Sequence, residues 1–263
     1  MKIKDGVHTF VVCAYKDSPF LEECICSLEK QSVRSRIIMV TSTPSEYIDD
    51  LARKHDVPLY VNEGEGGIAQ DWNFGISKCN TRYVTIAHQD DTYEPTYLDT
   101  IMTKLKNNPN ALIAFSDYGE IRQGQRVNKS RLLTVKRLML LPMKFAKLQN
   151  KKFAKKGILM FGNPICCPSV TYNMDKLSTP VFEVKYGSNL DWQTWVNFAT
   201  MRGDFVYCNR ILMHHRIHEQ STTSGLIDNS KRGEEDMDMF KKMWPKPIAK
   251  LIGKIYKKGE GLN

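Results

Sequence analysis

The chain has 263 residues and a mass of 30.3 kDa, which allows one large α/β domain or one domain with a C-terminal extension. Hydrophobic residues make up 41% of it and charged residues 25%, a composition that excludes a globally disordered chain. No apolar run reaches the roughly 20 residues that cross a bilayer, and the N-terminus has no apolar signal segment. We therefore predict a cytoplasmic protein.

The seven cysteines lack the paired spacing of a structural metal site. Cys24 and Cys26 are too close in the chain for an easy disulfide, and so are Cys166 and Cys167. These features predict reduced thiols and no structural zinc.

The formal net charge is +9, and lysines are concentrated in residues 147–157 and 241–261. A basic surface attracts nucleic acid, anionic lipid or phosphorylated small molecules, and charge alone does not choose among them. No nucleic-acid motif accompanies the lysines, so we predict no nucleic-acid partner. A solvated lysine-rich surface without a partner is the alternative.

Strand and helix patterns alternate through the first part of the chain. Short apolar runs predict strands, and apolar residues spaced three or four apart predict helices. Their alternation indicates βαβ units and a parallel sheet. The predicted strands are 8–15, 36–43, 58–64, 82–91 and 111–121, and the predicted helices are 18–32, 45–56, 67–80 and 96–109.

The carboxyl ends of parallel strands meet at one edge of a sheet, and ligands bind there. We expect the residues that follow the predicted strands to converge on one crevice. These residues are Tyr15, Thr41, Gly64, Asp90 and Asp91.

The second half of the chain is less regular. Residues 123–157 are basic and partly helical, with an interruption at Pro142. Residues 162–177 indicate a loop that leads into a strand, 188–203 a helix, and 204–218 edge strands.

The adjacent carboxylates Asp90 and Asp91 form the first candidate site. Two such groups at a strand end bind a hard divalent cation through oxygen, and water and phosphate oxygens complete its coordination. The alternative is a turn in which an aspartate caps the next helix.

Asp191 is the second candidate, near the start of a predicted helix and followed by two tryptophans in LDWQTW. A carboxylate there acts as a general base, or it only complements the helix dipole. Without further context the second interpretation is favoured.

The third candidate is the run LMHHRIH. Alternation along a strand places His214, Arg216 and His218 on one face and His215 on the other. Arg216 would then meet a diphosphate beside a histidine that ligates a metal. A nonspecific basic strand is the alternative.

Motifs over residues 8–225 resemble, in their order, those of the family 2 inverting glycosyltransferases. They are VVCAYKDSPFLEECICSLEKQS, EGGIAQDWNFGISKCNTRYVTIAHQDDTYEPTYLD, GNPICCPSVTYN, LDWQTW and HRIHEQSTT. The resemblance implies the A-type nucleotide-sugar fold, a mostly parallel, Rossmann-like α/β sheet flanked by helices. It also implies a UDP-sugar donor and a Mn²⁺ or Mg²⁺ ion.

The resemblance assigns roles at the donor's nucleoside. Ala14 and Tyr15 match the segment that walls the nucleoside. Gly66, Gly67 and Asn73 match the glycine loop and helix start that lie beside the uracil and ribose.

It also assigns the reacting groups. Asp90 matches the carboxylate that contacts the ribose and donor, and Asp91 matches the metal ligand that holds the diphosphate. Asp191 matches the catalytic base. Arg216 and His218 match a C-terminal segment that closes on the diphosphate, where a histidine completes the metal shell. Inverting transfer needs this combination of one base and one Lewis acid.

The chain departs from the family pattern at four places. Many relatives have an aspartate at His88 and an arginine at Trp72. An acidic pair that normally follows the second strand is replaced by residues 41–43, and the glutamate that often precedes the base is Leu190. These changes leave the metal ligand and the base in place, and put recognition of the nucleobase in question.

The sequence therefore predicts a transferase that moves a hexose from a UDP-sugar to a saccharide or lipid-linked saccharide, as in surface polysaccharide assembly. Residues 1–225 would form the catalytic domain, with a nucleotide-sugar half to about 120 and an acceptor half beyond it. Residues 226–263 would form a basic helical extension, whose stretch 248–259 would rest on anionic lipid at the inner face of the membrane. A homo-oligomer is left open.

Two other functions fit the same fold class. A sugar-nucleotide nucleotidyltransferase would need a glycine-rich, basic loop after the first strand, and AYKDSPF contains no glycine. A binding subunit that has lost turnover is the non-enzymatic alternative.

Overall fold

The computed structural model describes residues 6–218 and 229–260. The strands are β1 (His8–Ala14), β2 (Arg36–Thr41), β3 (Leu59–Val61), β4 (Tyr83–His88), β5 (Thr92–Tyr93), β6 (Ala111–Arg122), β7 (Gln125–Val127), β8 (Val170–Asn173) and β9 (Asp204–Ile217). The helices are α1 (Leu21–Glu29), α2 (Glu46–Lys54), α3 (Ile68–Ser77), α4 (Tyr97–Lys106), α5 (Arg131–Met139), α6 (Ala146–Gln149), α7 (Lys152–Gly157), α8 (Leu190–Thr200), α9 (Asn229–Met243) and α10 (Lys246–Glu260).

One sheet contains all of these strands, in the order β3-β2-β1-β4-β8-β6-β9-β5, with β7 paired to β6. The strands β3, β2, β1 and β4 are parallel, as the alternating pattern predicts. Strand β8 runs antiparallel between β4 and β6, whereas β6 and β9 are again parallel. The α/β class with flanking helices is confirmed, and the sheet is mixed in its second half.

Helices cover both faces of the sheet because its central strands are apolar on both sides. On β1, Val11 belongs to the core cluster that includes residues of α3 and α8, whereas Phe10 and Val12 belong to the cluster that includes residues of α1, α2 and α4. Gly75 lets α3 approach β1 closely, since a methyl group there would collide with Val11. The buried sheet is therefore a rigid base for the loops at its edge.

Residues 204–217 form the single strand β9 in place of the predicted edge strands. β9 runs along β6 and also pairs with β5, where Thr92 lies opposite His214. The two-residue strand β5 follows the acidic pair directly. This pairing joins the acidic pair to the histidine-rich strand.

Helices α9 and α10 pack onto α8. The ring of Phe240 lies edge-on to Trp192, 5.3 Å between centroids, and Ala249 is fully buried. The Glu235 carboxylate accepts hydrogen bonds from the amides of Gly187 and Asn189 just before α8. The predicted boundary at residues 225 and 226 lies outside the described residues and stays a prediction.

No helix in the described ranges has the length and apolar character needed to span a membrane.

Candidate active site

The ends of β1 and β4 are joined by hydrogen bonds. Gln89 accepts from the Tyr15 amide and donates to the Tyr15 carbonyl, each at 2.9 Å. The Ser18 hydroxyl donates to Asp90 Oδ1 at 2.7 Å. Ala14 is buried below this junction, and Tyr15 is exposed beside it. The residues that were predicted to converge from these two strands are therefore neighbours.

Asp91 is fully buried and contacts β9. Its Oδ1 accepts from His215 Nδ1 and from the Arg216 amide, both at 2.9 Å. Its Oδ2 has no hydrogen-bond partner and lies 3.8 Å from His88 Nδ1. A buried carboxylate oxygen without a partner is costly, so this atom is suited to bind a cation.

The charges around Asp91 keep it ionised. Burial alone would raise the pKa of Asp91, but the charge and the hydrogen bond of His215 bring it below its usual value, with a smaller contribution from the Arg216 amide. Burial would lower the pKa of His215, and Asp91 raises it above its usual value. His215 was not singled out as a ligand from the sequence, although its position in the histidine run was visible.

His218 contacts the other member of the acidic pair. Its Nε2 lies 3.2 Å from Asp90 Oδ2, and its ring packs edge-on against Phe20. The structure thus brings His215, not His218, into contact with Asp91. Metal ligation by His218 stays a prediction.

Arg216 is buried and bonded within the protein. Its Nε donates to the Asp90 carbonyl at 2.9 Å, and a terminal nitrogen donates to Glu23. The guanidinium lies over the Phe20 ring, 4.3 Å from its centroid. These bonds hold the guanidinium at Asp90 and Glu23, and its predicted contact with a diphosphate stays a prediction.

Asn73 is used to join two segments of the chain. Its Oδ1 accepts from the amides of Val181 and Phe182, and its Nδ2 donates to the Phe182 carbonyl. These bonds fix α3 to the segment before α8, and they do not support the predicted contact with a nucleoside. Gly67 precedes α3 with a φ of 155°, and a side chain there would collide with Gln70.

A carboxylate from α3 lies at the end of β2, where the family's usual acidic pair is missing. Asp71 is buried and accepts from the Ser42 hydroxyl at 2.7 Å and from Asn62 Nδ2 at 2.8 Å. The sequence interpretation did not include Asp71. The sequence feature that could have indicated Asp71 is a charged residue on the apolar face of a predicted helix.

Two departures from the family pattern contact each other. The rings of Trp72 and His88 are stacked, with centroids 5.0 Å apart and an interplanar angle of 22°. Burial lowers the pKa of His88, so the stack contains a neutral imidazole near neutral pH. An aromatic pair therefore stands where many relatives have an arginine and an aspartate.

Asp191 lies at the start of α8 with both carboxylate oxygens bonded. Oδ1 accepts from the Trp192 amide and Oδ2 from Asn163 Nδ2, each at 2.7 Å. Burial raises the pKa of Asp191 to about 6, and these two donors oppose the shift. A carboxylate with this pKa is a stronger base than an ordinary aspartate and is still ionised at neutral pH.

Asp91 and Asp191 both shift the pKa of the same neighbouring side chain, Cys166. Burial raises the pKa of the Cys166 thiol, and both carboxylates raise it further, while Lys136 lowers it. Lys136 also lowers the pKa of Asp191 and of His215. The two candidate carboxylates therefore belong to one electrostatic environment.

Three other potential metal ligands come together elsewhere in the described part of the chain. Glu22, Cys26 and His55 lie between α1 and α2. Glu22 is already paired with Lys54 Nζ at 2.6 Å, and His55 with Glu29 at 3.1 Å. We assign no metal to this cluster.

A model of the family described as "Glycosyl transferase family 2" matches residues 9–173, which is more than half of the chain and includes the acidic pair. The chain belongs to glycosyl transferase family 2. The predicted family resemblance of the motifs is thereby confirmed.

One curated relative of this family 2 protein is glycosyltransferase GlyA of Streptococcus pneumoniae serotype 4. The two are 24% identical over 110 residues, which are 40% of this chain and 16% of that protein. The match thus covers only a small part of the relative.

Solved glycosyltransferases share the fold at low sequence identity. S. aureus TarS 1-349 in complex with UDP-GlcNAc has a TM-score of 0.66 and 13% identity, over 89% of this chain and 65% of that one. The mannosyltransferase PcManGT from Pyrobaculum calidifontis, with GDP-Man and Mn²⁺, has a TM-score of 0.62 and 15% identity, over 95% and 69%. The likeness confirms the A-type fold of this family 2 protein.

A third similar structure is glucosyl-3-phosphoglycerate synthase from Mycobacterium tuberculosis in complex with Mn²⁺ and UDP-glucose. Its TM-score is 0.57 at 12% identity, over 82% of this chain and 73% of that one. At these identities the likeness shows the fold alone.

Proposed function

We propose that this enzyme transfers a hexose from a UDP-sugar to a saccharide or lipid-linked saccharide, with inversion at the anomeric carbon. The observation that carries the proposal is that two carboxylates with different properties, Asp91 and Asp191, share one electrostatic environment. Asp91 is buried with an unpartnered oxygen, and Asp191 has a pKa raised to about 6. One carboxylate is suited to a cation and the other to a proton.

Asp191 is the general base. The acceptor hydroxyl gives its proton to an Asp191 oxygen, its own oxygen forms a bond to the anomeric carbon, and the bond from that carbon to the diphosphate breaks. Asn163 and the Trp192 amide hold the carboxylate in a fixed orientation. A single displacement needs no covalent intermediate, in contrast to retaining hydrolases with two closely spaced carboxylates.

Asp91 would hold Mn²⁺ or Mg²⁺ through its free oxygen, with His218 as a second protein ligand. A divalent ion bound there would neutralise charge on the leaving diphosphate. His215 and the Arg216 amide orient the carboxylate by binding its other oxygen. Asp90 and Arg216 would contact the ribose and diphosphate of the donor.

The nucleoside would lie along the ends of β1 and β2. Ala14, Tyr15 and Gly67 form its walls in this proposal, and Asp71 replaces the acidic pair that the second strand lacks. The bonds of Asp71 to Ser42 and Asn62 support this role, since they hold a carboxylate at the required strand end. TarS with UDP-GlcNAc and the synthase with UDP-glucose support a uridine donor.

The domain assignment belongs to the same proposal. Residues 1–225 would carry both the nucleotide-sugar half and the acceptor half, and 226–263 would be an extension. In the sequence Asp71 and Asp91 precede residue 120 and Asp191 follows it, which agrees with that division.

A panel of UDP-sugars and GDP-sugars tests the proposed donor. We expect UDP-sugars to raise the unfolding temperature in the presence of Mn²⁺ or Mg²⁺, and to lose this effect when EDTA removes the ion. GDP-sugars should give a smaller rise. Differential scanning fluorimetry, followed by measurement of nucleotide release, checks both points.

The panel also contains outcomes against the proposal. A larger stabilisation by GDP-sugars would contradict the uridine donor. Pyrophosphate release from a nucleoside triphosphate and a sugar phosphate would instead indicate a nucleotidyltransferase.

A further inference from the structure

Charge is divided unevenly along the chain. Residues 121–174 and 239–258 together hold half of the chain's 38 basic residues and none of its 29 acidic residues. The remainder of the chain is acidic on balance, so these two segments account for the whole positive excess. A surface without acidic residues cannot neutralise its lysines through salt bridges of its own.

The two basic segments meet in the fold. Trp244 Nε1 donates to the Met160 carbonyl at 2.9 Å, and the rings of Trp244 and Phe161 have centroids 5.5 Å apart. The Tyr256 ring of α10 lies against Gly162, where a side chain would collide with it. The two basic segments are therefore neighbours in the fold.

The same segments expose large apolar side chains. The exposed fraction is 65% for Phe145, 71% for Phe153, 61% for Leu251 and 64% for Ile255. Most large apolar residues that are exposed in the described chain lie here, and the others of this group are Val135, Leu138, Leu141, Phe161 and Ile248. A solvated lysine surface would not need them.

Helix α10 has two apolar sides. Ala249 and Ile252 pack inward against the core. Ile248, Leu251 and Ile255, three and four residues apart, face outward between exposed lysines. An outward apolar stripe flanked by lysines is the pattern of a helix that lies in a membrane interface.

We propose that the exposed apolar and lysine side chains of residues 135–161 and 246–257 form one membrane-docking face for an anionic bilayer. Its exposed lysines are complementary to acidic lipid headgroups, and its phenylalanine, leucine and isoleucine side chains enter the interface. The lysines are Lys144, Lys147, Lys151, Lys152, Lys156, Lys246, Lys250, Lys254 and Lys257. The face extends the contact that the sequence predicted for the tail alone.

The membrane-docking face adjoins the proposed base. Asn163, which binds Asp191, follows the exposed Phe161 by two residues. Lys136 of α5 acts on the pKa of Asp191. Docking would therefore hold Asp191 near the bilayer surface, where a lipid-linked acceptor presents its sugar. This last consequence rests on the proposed function, whereas membrane binding does not.

Co-sedimentation with vesicles tests the membrane-docking face. The full chain should pellet with vesicles of phosphatidylcholine and phosphatidylglycerol, and far less with phosphatidylcholine alone. We expect Phe145→Ser with Phe153→Ser, and separately Leu251→Ser with Ile255→Ser, to weaken binding roughly tenfold or more because each pair loses its buried apolar area. Val61→Ser with Val184→Ser is the matched control, since both residues are exposed outside the face.

The outcomes separate the alternatives without any donor or turnover. If both double-serine variants of the face bind anionic vesicles as strongly as the wild type, with an unchanged unfolding temperature, the proposed role of the apolar side chains is overturned. Equal weakening in the control pair, or binding to an RNA oligonucleotide but not to anionic vesicles, would overturn the proposal as a whole. Failure of the donor panel would leave the vesicle result unaffected.

Discussion

Asp191→Asn is expected to remove sugar transfer and, at the same time, to make the fold more stable at neutral pH. Turnover should fall about a hundredfold to ten-thousandfold, which is the usual contribution of a general base. The free energy of unfolding should rise by about 1 to 3 kcal/mol, because the pKa of Asp191 is raised from 3.8 to about 6. Nucleotide release and thermal unfolding check the two effects.

The direction of the stability change follows from the pKa. A carboxyl whose pKa is higher in the folded state favours folding while it is protonated, and this contribution is lost as the pH rises from about 4 to about 6. At neutral pH the ionised Asp191 therefore destabilises the fold, and an amide removes that cost. For the same reason kcat/KM of the wild type should rise with pH through about 6 and then level off.

Asp175→Asn is the control for this variant. Asp175 is exposed and paired with Arg82, so its loss should change neither turnover nor stability appreciably. Wild-type turnover in Asp191→Asn would contradict the base assignment. A kcat/KM of the wild type that stays level down to about pH 4 would contradict the raised pKa.

Asp91→Asn is expected to abolish the cation dependence of donor binding. The amide keeps the volume of the side chain, and its oxygen can still accept from the Arg216 amide. It places an NH₂ group where Asp91 Oδ2 has no partner, and an NH₂ group cannot bind a cation. Thermal unfolding with UDP-sugar should then be the same with Mn²⁺ and with EDTA, and turnover should be lost.

This variant should change stability in the opposite direction. The folded-state pKa of Asp91 is below its usual value, so its ionised form stabilises the fold at neutral pH and this stabilisation is lost as the pH falls. Asp99→Asn, on α4, is the control with an unchanged response to Mn²⁺. A cation-dependent shift that persists in Asp91→Asn would remove the metal assignment.

The parallel half of the sheet could be predicted from the sequence because its strands are apolar on both faces and its helices have regular apolar spacing. The same pattern placed Asp90 and Asp91 at a strand end. Strand β5 could not be predicted, since it consists only of Thr92 and Tyr93 and forms only by pairing with β9. Without β5 the contact between the acidic pair and β9 is invisible in the sequence.

The histidine run shows the limit of a local pattern. Alternation correctly separated His215 from Arg216, whose side chains point to different partners. It could not say which face of β9 receives Asp91, because that depends on a residue more than a hundred positions away. Asp71 was missed for a similar reason, as its partners come from two other segments.

The departures at Trp72 and His88 acquire a meaning only in the fold. Each is a separate substitution in the sequence, and the structure stacks the two rings. In the structure the two departures therefore form one aromatic contact. The C-terminal helices are a comparable case. Glu235 joins them to the start of α8 by hydrogen bonds from backbone amides, and no sequence pattern predicts these bonds.

Proton NMR of donor hydrolysis tests the central proposal, inverting transfer with Asp191 as base, most directly. With Mn²⁺ and an α-linked UDP-sugar, water takes the place of the acceptor. The acceptor therefore need not be known for this measurement. We expect the first free sugar to be the β anomer, formed by the wild type and not by Asp191→Asn. An α anomer as the first product would show retention and contradict the proposed mechanism.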